Sequence, residues 1–380
     1  MRRLILVGGG HAHVEVLRAA ARRPLVGVEL LLVSPCARHV YSSMMPWQLR
    51  DGLPERDVSF DLPALCAAAG ARFVEASAER LEAGPPAVVH TATGGLECDL
   101  LSLDVGAAPA GLATPGARDH ALRLRPLPRW RALIARLGEL AGGEPGDGAA
   151  RIVLVGGGAA GVELALAAVR MLGRTGRRAD VTLVERGDTV LGDLRPRVGQ
   201  RATAILKAAG VHLRLGVDVA NVVADAVRLD DGTWLPSDAT IWATGASAPP
   251  LVAQSAVPRD PDGFLFVDET LRAVDGSPIW GAGDCVTLRH APWVAKAGVY
   301  AVREAPVLAW NLRATAEGRG AALRHYAPQR RFLALLDTAD GRALLSWYGL
   351  SAHTRWALWL KRAIDHRFIA RYAQRGGRRA

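Results

Sequence analysis

Short, wholly apolar runs punctuate this chain, and several end in glycine. Leu4 to Val7 runs into Gly8-Gly9-Gly10, a helical pattern follows to Ala20, and a second apolar run spans Val28 to Val33. The same order returns about 150 residues later. Ile152 to Val155 leads into Gly156-Gly157-Gly158, a helical pattern reaches Ala168, and Val181 to Val184 follows. The two openings, RLILVGGGHAHVEVLRAA and RIVLVGGGAAGVELALAA, align without a gap. Both predict a buried parallel strand, a glycine turn, a helix and a second strand.

That order has a chemical use. A dinucleotide pyrophosphate can approach the backbone only where Cβ atoms are missing, and the next helix offers free N–H groups and a positive dipole end. The second copy completes GxGxxG with Gly156, Gly158 and Gly161, and Glu185 ends the following strand. A carboxylate there accepts ribose hydroxyls and repels a 2′-phosphate, favouring NADH over NADPH, although Arg186 beside it leaves NADPH open. In the first copy His13 stands at the third glycine position, which is expected to loosen helix–strand packing, and Ser34 stands where the acid is expected. One such loop is a weak signal; two in register are a strong one.

Two further apolar strands run into Gly/Ala loops, LLSLDVGAAPA (Leu100 to Ala110) and ATIWATGASAPP (Ala239 to Pro250). A third, PIWGAGDC, ends in Gly283-Asp284-Cys285. Ala141 to Ala150 reads as a linker. After residue 320 the pattern predicts a β-meander (Phe332 to Leu336, Ala343 to Tyr348) and a long helix. In Thr354 to Tyr372 the apolar residues Trp356, Leu360, Ile364, Phe368 and Tyr372 recur every fourth position, with Arg355, Lys361, Arg362, Arg367 and Arg371 around them. Two readings stay open for this basic amphipathic helix: an interfacial membrane helix, or a helix docked on its own domain or a dimer partner.

Composition adds limits. The chain has 380 residues and a formal net charge of +10. Eight Arg/Lys against Asp365 alone put +7 of that charge after residue 350. Nucleic-acid motifs are absent, so no nucleic-acid partner is expected. There is no run of 18 apolar residues, and the Met1-Arg2-Arg3 start is too short before Gly8 for a signal peptide. The expected location is cytoplasmic, with peripheral contact on the inner membrane face left open. Cys36, Cys66, Cys98 and Cys285 make no CxxC and no zinc spacing, so no metal is expected.

The order glycine loop, ATG-like loop, second glycine loop with GVE, second ATG, then GAGD resembles the two-dinucleotide-binding-domain flavoproteins. These include the pyridine nucleotide-disulfide oxidoreductases and the type II NADH dehydrogenases. The strings VGGGHAHV, VSPCARHVYSSMMP and KAGVYAVREAPVLAWNL resemble the NADH dehydrogenase-like module fused to selenide, water dikinase. The resemblance implies an α/β fold with two Rossmann-like domains. Residues 1–112 and 245–320 would form an FAD domain, 113–244 an inserted NAD(P)H domain, and 321–380 a small α+β region ending in the amphipathic helix. It further implies that Gly8, Gly9, Gly10 and His11 cradle the FAD pyrophosphate, that Ser34 and Pro35 lie beside the adenosine ribose, and that Ala76 touches adenine. Gly106, Gly283 and Asp284 would approach the flavin side, and Lys296 and Ala297 would lead a helix under the flavin, with Lys296 favouring its reduced anion. Thr244 and Gly245 would join Gly156, Gly158, Gly161 and Glu185 in the cofactor-binding set. Glu163, placed by spacing in the first turn of its helix, would approach the nicotinamide. Without paired cysteines, thiol acceptors and a sulfide:quinone reductase are disfavoured. The expected reaction is hydride transfer from NADH or NADPH to FAD, with electrons passed to a quinone-like acceptor. A flavin-binding partner module linked to selenium metabolism is the alternative.

Overall fold

The computed structural model describes residues 1–143, 148–318 and 322–372. Residues 144–147 of the expected inter-domain linker Ala141–Ala150, and the last eight residues, lie outside them; because Ala121–Arg123 already belongs to the second sheet, that segment lies within the second unit and not between the two.

Each glycine-loop strand sits at the centre of a five-stranded parallel sheet. In the first, the order is β10 (Ile279–Gly281), β4 (Leu100–Leu103), β1 (Arg2–Val7), β2 (Val28–Ser34), β3 (Arg72–Glu75). In the second it is β5 (Ala121–Arg123), β9 (Ala239–Trp242), β6 (Ala150–Val155), β7 (Ala179–Glu185), β8 (His212–Leu215). Four strands correspond; the edge strand beside β4 in one sheet and β9 in the other differs, coming last in the chain in the first sheet (β10) and before the glycine-loop strand in the second (β5). Helix α1 (His11–Arg22) follows β1, and α2 (Ala159–Arg174) follows β6. Leu4, Ile5 and Leu6 are fully buried, as are Leu154, Val181 and Leu183, because both sheet faces are covered. Each such side chain contributes roughly 1.5–3 kcal/mol of burial free energy. This is the α/β architecture of two Rossmann-like units that the sequence pattern predicts.

The chain enters the second sheet at Ala121 and returns to the first at Ile279. Its two crossings pair with one another: Ala108-Pro109 lies antiparallel to Ala246-Ser247. Trp242 Nε1 and Thr244 Oγ1 both donate to Ala110 O, at 2.8 and 2.7 Å. The glycine loops and the ATG-like loops therefore converge at the carboxyl ends of both sheets, where the strand order reverses. Helix α3 (Gly298–Ala316) packs on α1 and closes the first sheet.

The C-terminal region holds three strands: β11 (Ala334–Asp337), β12 (Ala343–Trp347) and β13 (Leu350–Thr354). Tyr348 and Gly349, both at positive φ, join the last two in a two-residue hairpin. The tyrosine hides this turn from a composition-based reading, which favours Asn-Gly or Asp-Gly there. Helix α4 (Arg355–Tyr372) follows. Its period-four apolar row is split, its C-terminal members Phe368 and Tyr372 packed inward and Trp356 and Ile364 turned outward. Ala357, Leu358, Lys361, Asp365 and Tyr372 are buried, and Phe368 packs beside them, whereas Trp356, Trp359 and Ile364 are exposed. Lys361 thus belongs to the docked face, not to a basic outer one. Among the described residues no helix is long and apolar enough to cross a membrane.

Candidate functional site

The first glycine loop is built by close backbone approach. Gly8 has φ +93°, and a Cβ there would lie 2.3 Å from Asp104 O. A Cβ on Gly10 would lie 2.2 Å from Asp104 Oδ1. Gly10 precedes α1 without capping it by a side chain, so the cap comes from β4's end. Asp104 Oδ2 accepts from Ala12 N–H at 2.7 Å and His13 N–H at 3.1 Å. The N–H groups of Gly9 and His11 have no partner among the described residues. His13 does not loosen the packing. Its ring is fully buried, with Nδ1 2.6 Å from Gly8 O and Nε2 2.8 Å from Ser102 Oγ. Since a carbonyl only accepts, the proton sits on Nδ1 and Nε2 accepts from Ser102. Burial drops its pKa to about 4, so the ring is neutral. His11 contributes backbone alone to the loop. Its ring sits edge-on to His39 and Tyr41, and burial likewise lowers its pKa to about 4.

Ser34 ends β2 with its hydroxyl donating to Cys36 O, and Ser34 O accepts from Ala76 N–H at 3.0 Å. Ser34, Pro35 and Ala76 are thereby brought side by side. On the opposite edge, Gly106 (φ +69°) faces Arg125 Nη1, 3.2 Å from where its Cβ would stand. Arg125 Nη1 reaches Asp284 Oδ2 at 3.6 Å. Gly283 (φ +75°) donates its N–H to Glu304 Oε2 at 2.6 Å. Asp284 lies in a single turn spanning Gly283–Cys285 that gives way to strand Val286–Leu288. Lys296 Nζ donates to Thr287 Oγ1 at 2.8 Å and to Val286 O, so its charge is tied to that strand. Burial lowers its pKa. Ala297 precedes the first turn of α3. Gly283, Asp284, Lys296, Ala297 and Glu304 line a small cleft.

Three residues here escaped sequence reading: Asp104, Arg125 and Glu304. Asp104 had a signal, since it takes the place of Ala243 when LSLDVG is laid on IWATG. Glu304 and Arg125 had none. Burial pushes Asp104 up to about 7 and Glu304 up to about 8.

The second loop repeats the turn and changes the lining. Gly156 has φ +108°, and its Cβ would lie 2.4 Å from Ala243 O. A Cβ on Gly161 would lie 1.9 Å from Gly156 O, so only glycine lets α2 sit this close to β6. The space above Gly158 is open, and the N–H groups of Ala159, Ala160 and Gly161 have no partner among the described residues. Glu185 closes the loop: Oε2 accepts from Gly157 N–H at 2.6 Å and Oε1 from Gly187 N–H at 2.8 Å. Thr244 and Gly245 lie at the chain crossing and bond Ala110.

Glu163 lies past the first turn of α2. Its Oε1 accepts from Asp337 N–H at 2.7 Å and lies 3.8 Å from Lys361 Nζ. Burial raises its pKa to about 7 against the pull of Lys361. Lys361 Nζ also donates to Ser43 Oγ at 2.7 Å and Asp365 Oδ2 at 3.2 Å. Asp337 in turn accepts from Arg50 Nη1 at 2.7 Å. This buried network joins α2, the Ser42–Asp51 segment and the C-terminal region. The four cysteines are free, and Cys285 is fully buried, its thiol pushed up by that burial.

Comparisons with known proteins agree with this architecture. The chain is similar to demethylphylloquinone reductase NdbB of Synechocystis, 26% identical over 378 residues that cover 95% of this chain and 91% of that protein. A NADH dehydrogenase-like protein of Mycobacterium tuberculosis is 28% identical over 307 residues, covering 76% and 74%. The solved structure of NDH2 from Plasmodium falciparum in complex with NADH superimposes with a TM-score of 0.82 at 12% identity, covering 98% of this chain and 97% of that one. The profile of the pyridine nucleotide-disulphide oxidoreductases matches residues 2–305, and the chain belongs to that family.

Proposed function

We propose that this chain is an FAD-dependent oxidoreductase that takes hydride from NADH and passes electrons to a quinone. The observation carrying this reading is the pair of glycine cradles at the carboxyl ends of two parallel sheets, joined by the paired crossings at Ala108-Pro109 and Ala246-Ser247. The residues present fit the two groups. Gly8, Gly10 and Gly283 let the loop pack closely on Asp104, and the N–H groups of Gly9 and His11 beside them have no partner among the described residues, an arrangement suited to the FAD pyrophosphate. The open end of α2, with Glu185 beside it, suits a nicotinamide dinucleotide. Glu185 would repel a 2′-phosphate, which supports NADH as the donor.

FAD, when bound, supplies the hydride acceptance and electron transfer. The chain's own groups orient and insulate. Asp284 and Arg125 offer an acceptor and a donor on the cleft wall. Ala297 and Tyr300 bring the N-terminus of α3 to the cleft, and that end of a helix favours negative charge. Lys296 adds positive charge from its seat on Thr287. Cys285 is a free, buried thiol, so no disulfide of the chain itself stands beside the cleft among the described residues. The relative named a quinone reductase supports a quinone as the acceptor. The test is the absorbance of purified full-length protein. A flavin spectrum bleached by NADH and restored by a soluble quinone supports the reading; a flavin that stays oxidised under NADH overturns it.

The outer face of α4 supports peripheral membrane contact as part of the same reading. Trp356 is 54% and Trp359 72% exposed on one side of that helix, beside Arg355 and Arg367. Tryptophans flanked by arginines suit a lipid–water boundary. Vesicle sedimentation of W356S/W359S against the parent chain tests it: equal binding would assign this face to a protein partner.

A further inference from the structure

The helix ends that meet the two expected dinucleotides differ in charge. At α2 no side chain caps the first N–H groups, because Ala243 follows β9 beside Gly156 and the Glu185 carboxylate bonds Gly157 in the loop instead. At α1 the corresponding position is Asp104, whose carboxyl lies against Gly10 and Gly283 and is 4% exposed. Its Oδ2 takes the N–H groups of Ala12 and His13. Its Oδ1 lies 2.9 Å from where a Cβ on Gly283 would stand, and no donor to it is found among the described residues. An ionised Asp104 would set a buried negative charge directly beneath the place where an FAD diphosphate, itself doubly negative, would rest.

We infer that Asp104 holds a proton when FAD is bound, so that cofactor binding takes up one proton at this carboxyl and Oδ1 becomes a hydrogen-bond donor beside the diphosphate. This rests on the FAD reading above. The groups facing Asp104 support it. From the turn after β10 comes Asp284, and from α3 Glu304, both carboxyls; Cys285 beside them is a neutral thiol. The opposing charge is Arg125, half in solvent. From α1, His11 and His13 are neutral above their depressed pKa values. Without cofactor, burial already holds Asp104 near 7. Added phosphate charge raises it further, and the proton is drawn from solvent. Affinity is then full below the cofactor-free pKa and falls as pH rises, by about tenfold per pH unit, until the raised pKa is passed.

The experiment titrates flavin-stripped full-length protein with FAD, following quenching of flavin fluorescence from pH 6 to 9. Calorimetry at pH 8 in buffers of different ionisation enthalpy counts protons. The parent chain is expected to lose at least tenfold in affinity from pH 7 to 9 and to take up close to one proton. In D104N the amide oxygen still caps Ala12 and His13, but no charge forms. That variant should give a flat profile, tighter binding than the parent at pH 9 and no uptake. E304Q removes the other buried carboxyl beside Gly283, itself pushed up to about 8, so a parent-like slope and proton uptake in E304Q assign the proton to Asp104, and their loss overturns the inference. Tight binding independent of pH, or D104N retaining the parent slope, overturns the inference and leaves the FAD reading standing. Absence of FAD binding at every pH overturns both.

Discussion

The two glycine loops share a backbone and differ in what holds their helices. Gly8 and Gly156 adopt the same left-handed turn, each pressed on the carbonyl of its neighbouring strand, Asp104 in one case and Ala243 in the other. Beyond that turn they part. In the second loop Gly161 brings α2 onto the Gly156 carbonyl with no side chain between. In the first, the His13 ring fills that place and bonds Gly8 O and Ser102. The helix end is also treated differently. Asp104 caps α1 from inside, while three N–H groups of α2 stay open. One turn geometry thus tolerates two solutions, a seat completed by the protein's own side chains and a seat left open for a ligand. Under the proposed function the completed seat suits a resident cofactor, and the open one suits a nucleotide that comes and goes.

The largest test of this contrast is G161V. Its side chain would overlap the Gly156 carbonyl, so the second unit is expected to lose about 4 kcal/mol of stability. NADH-driven bleaching should disappear while the purified protein keeps its flavin spectrum; loss of flavin as well would show that the two loops do not act separately. Next comes H13A, which removes two buried hydrogen bonds and leaves a void. A cost of about 2–3 kcal/mol in urea unfolding is expected, together with lower flavin content. An unchanged midpoint would mean that the ring is a passive filler. A smaller effect is expected for E185Q, with NADH binding about tenfold weaker, or about 1.4 kcal/mol, and weaker discrimination against NADPH. Equal affinity for both nucleotides in the parent chain would remove Glu185 as the selector. The smallest belongs to the matching position in the first loop. Ser34 donates only to Cys36 O, so S34A should weaken FAD binding by about threefold or less, the loss of one modest hydrogen bond.

The repeated strand–glycine–helix–strand pattern read along the chain reappears as two sheets that match in four strands. Buried parallel strands are apolar along their whole length, and a left-handed turn against a carbonyl admits glycine alone, so both leave a local trace. The trace fails where a side chain's partner is far along the chain. Glu163 has the spacing of a nucleotide-facing residue, yet its carboxylate meets Asp337 N–H and Lys361 in the C-terminal region. The apolar row of α4, open in the sequence to a membrane or a docking role, splits on folding: Phe368 and Tyr372 pack inward with a buried, salt-bridged Lys361–Asp365 pair, while Trp356 and Ile364 face out. Hydrophobicity assigns faces only where apolar contacts decide them, and here an ionic network does.

By itself, then, the sequence determined the two nucleotide-type folds, their order and the absence of a paired-cysteine motif. Strand burial, glycine turns and residue spacing are short-range properties. The tertiary structure alone decided how each loop is finished: that Asp104 caps α1, that His13 pins it, and that Glu304 holds Gly283. Those contacts form between elements that the chain brings together only on folding. Burial then changes the chemistry of the groups it encloses, leaving His11 and His13 neutral and the carboxyls near the cleft poised to hold protons.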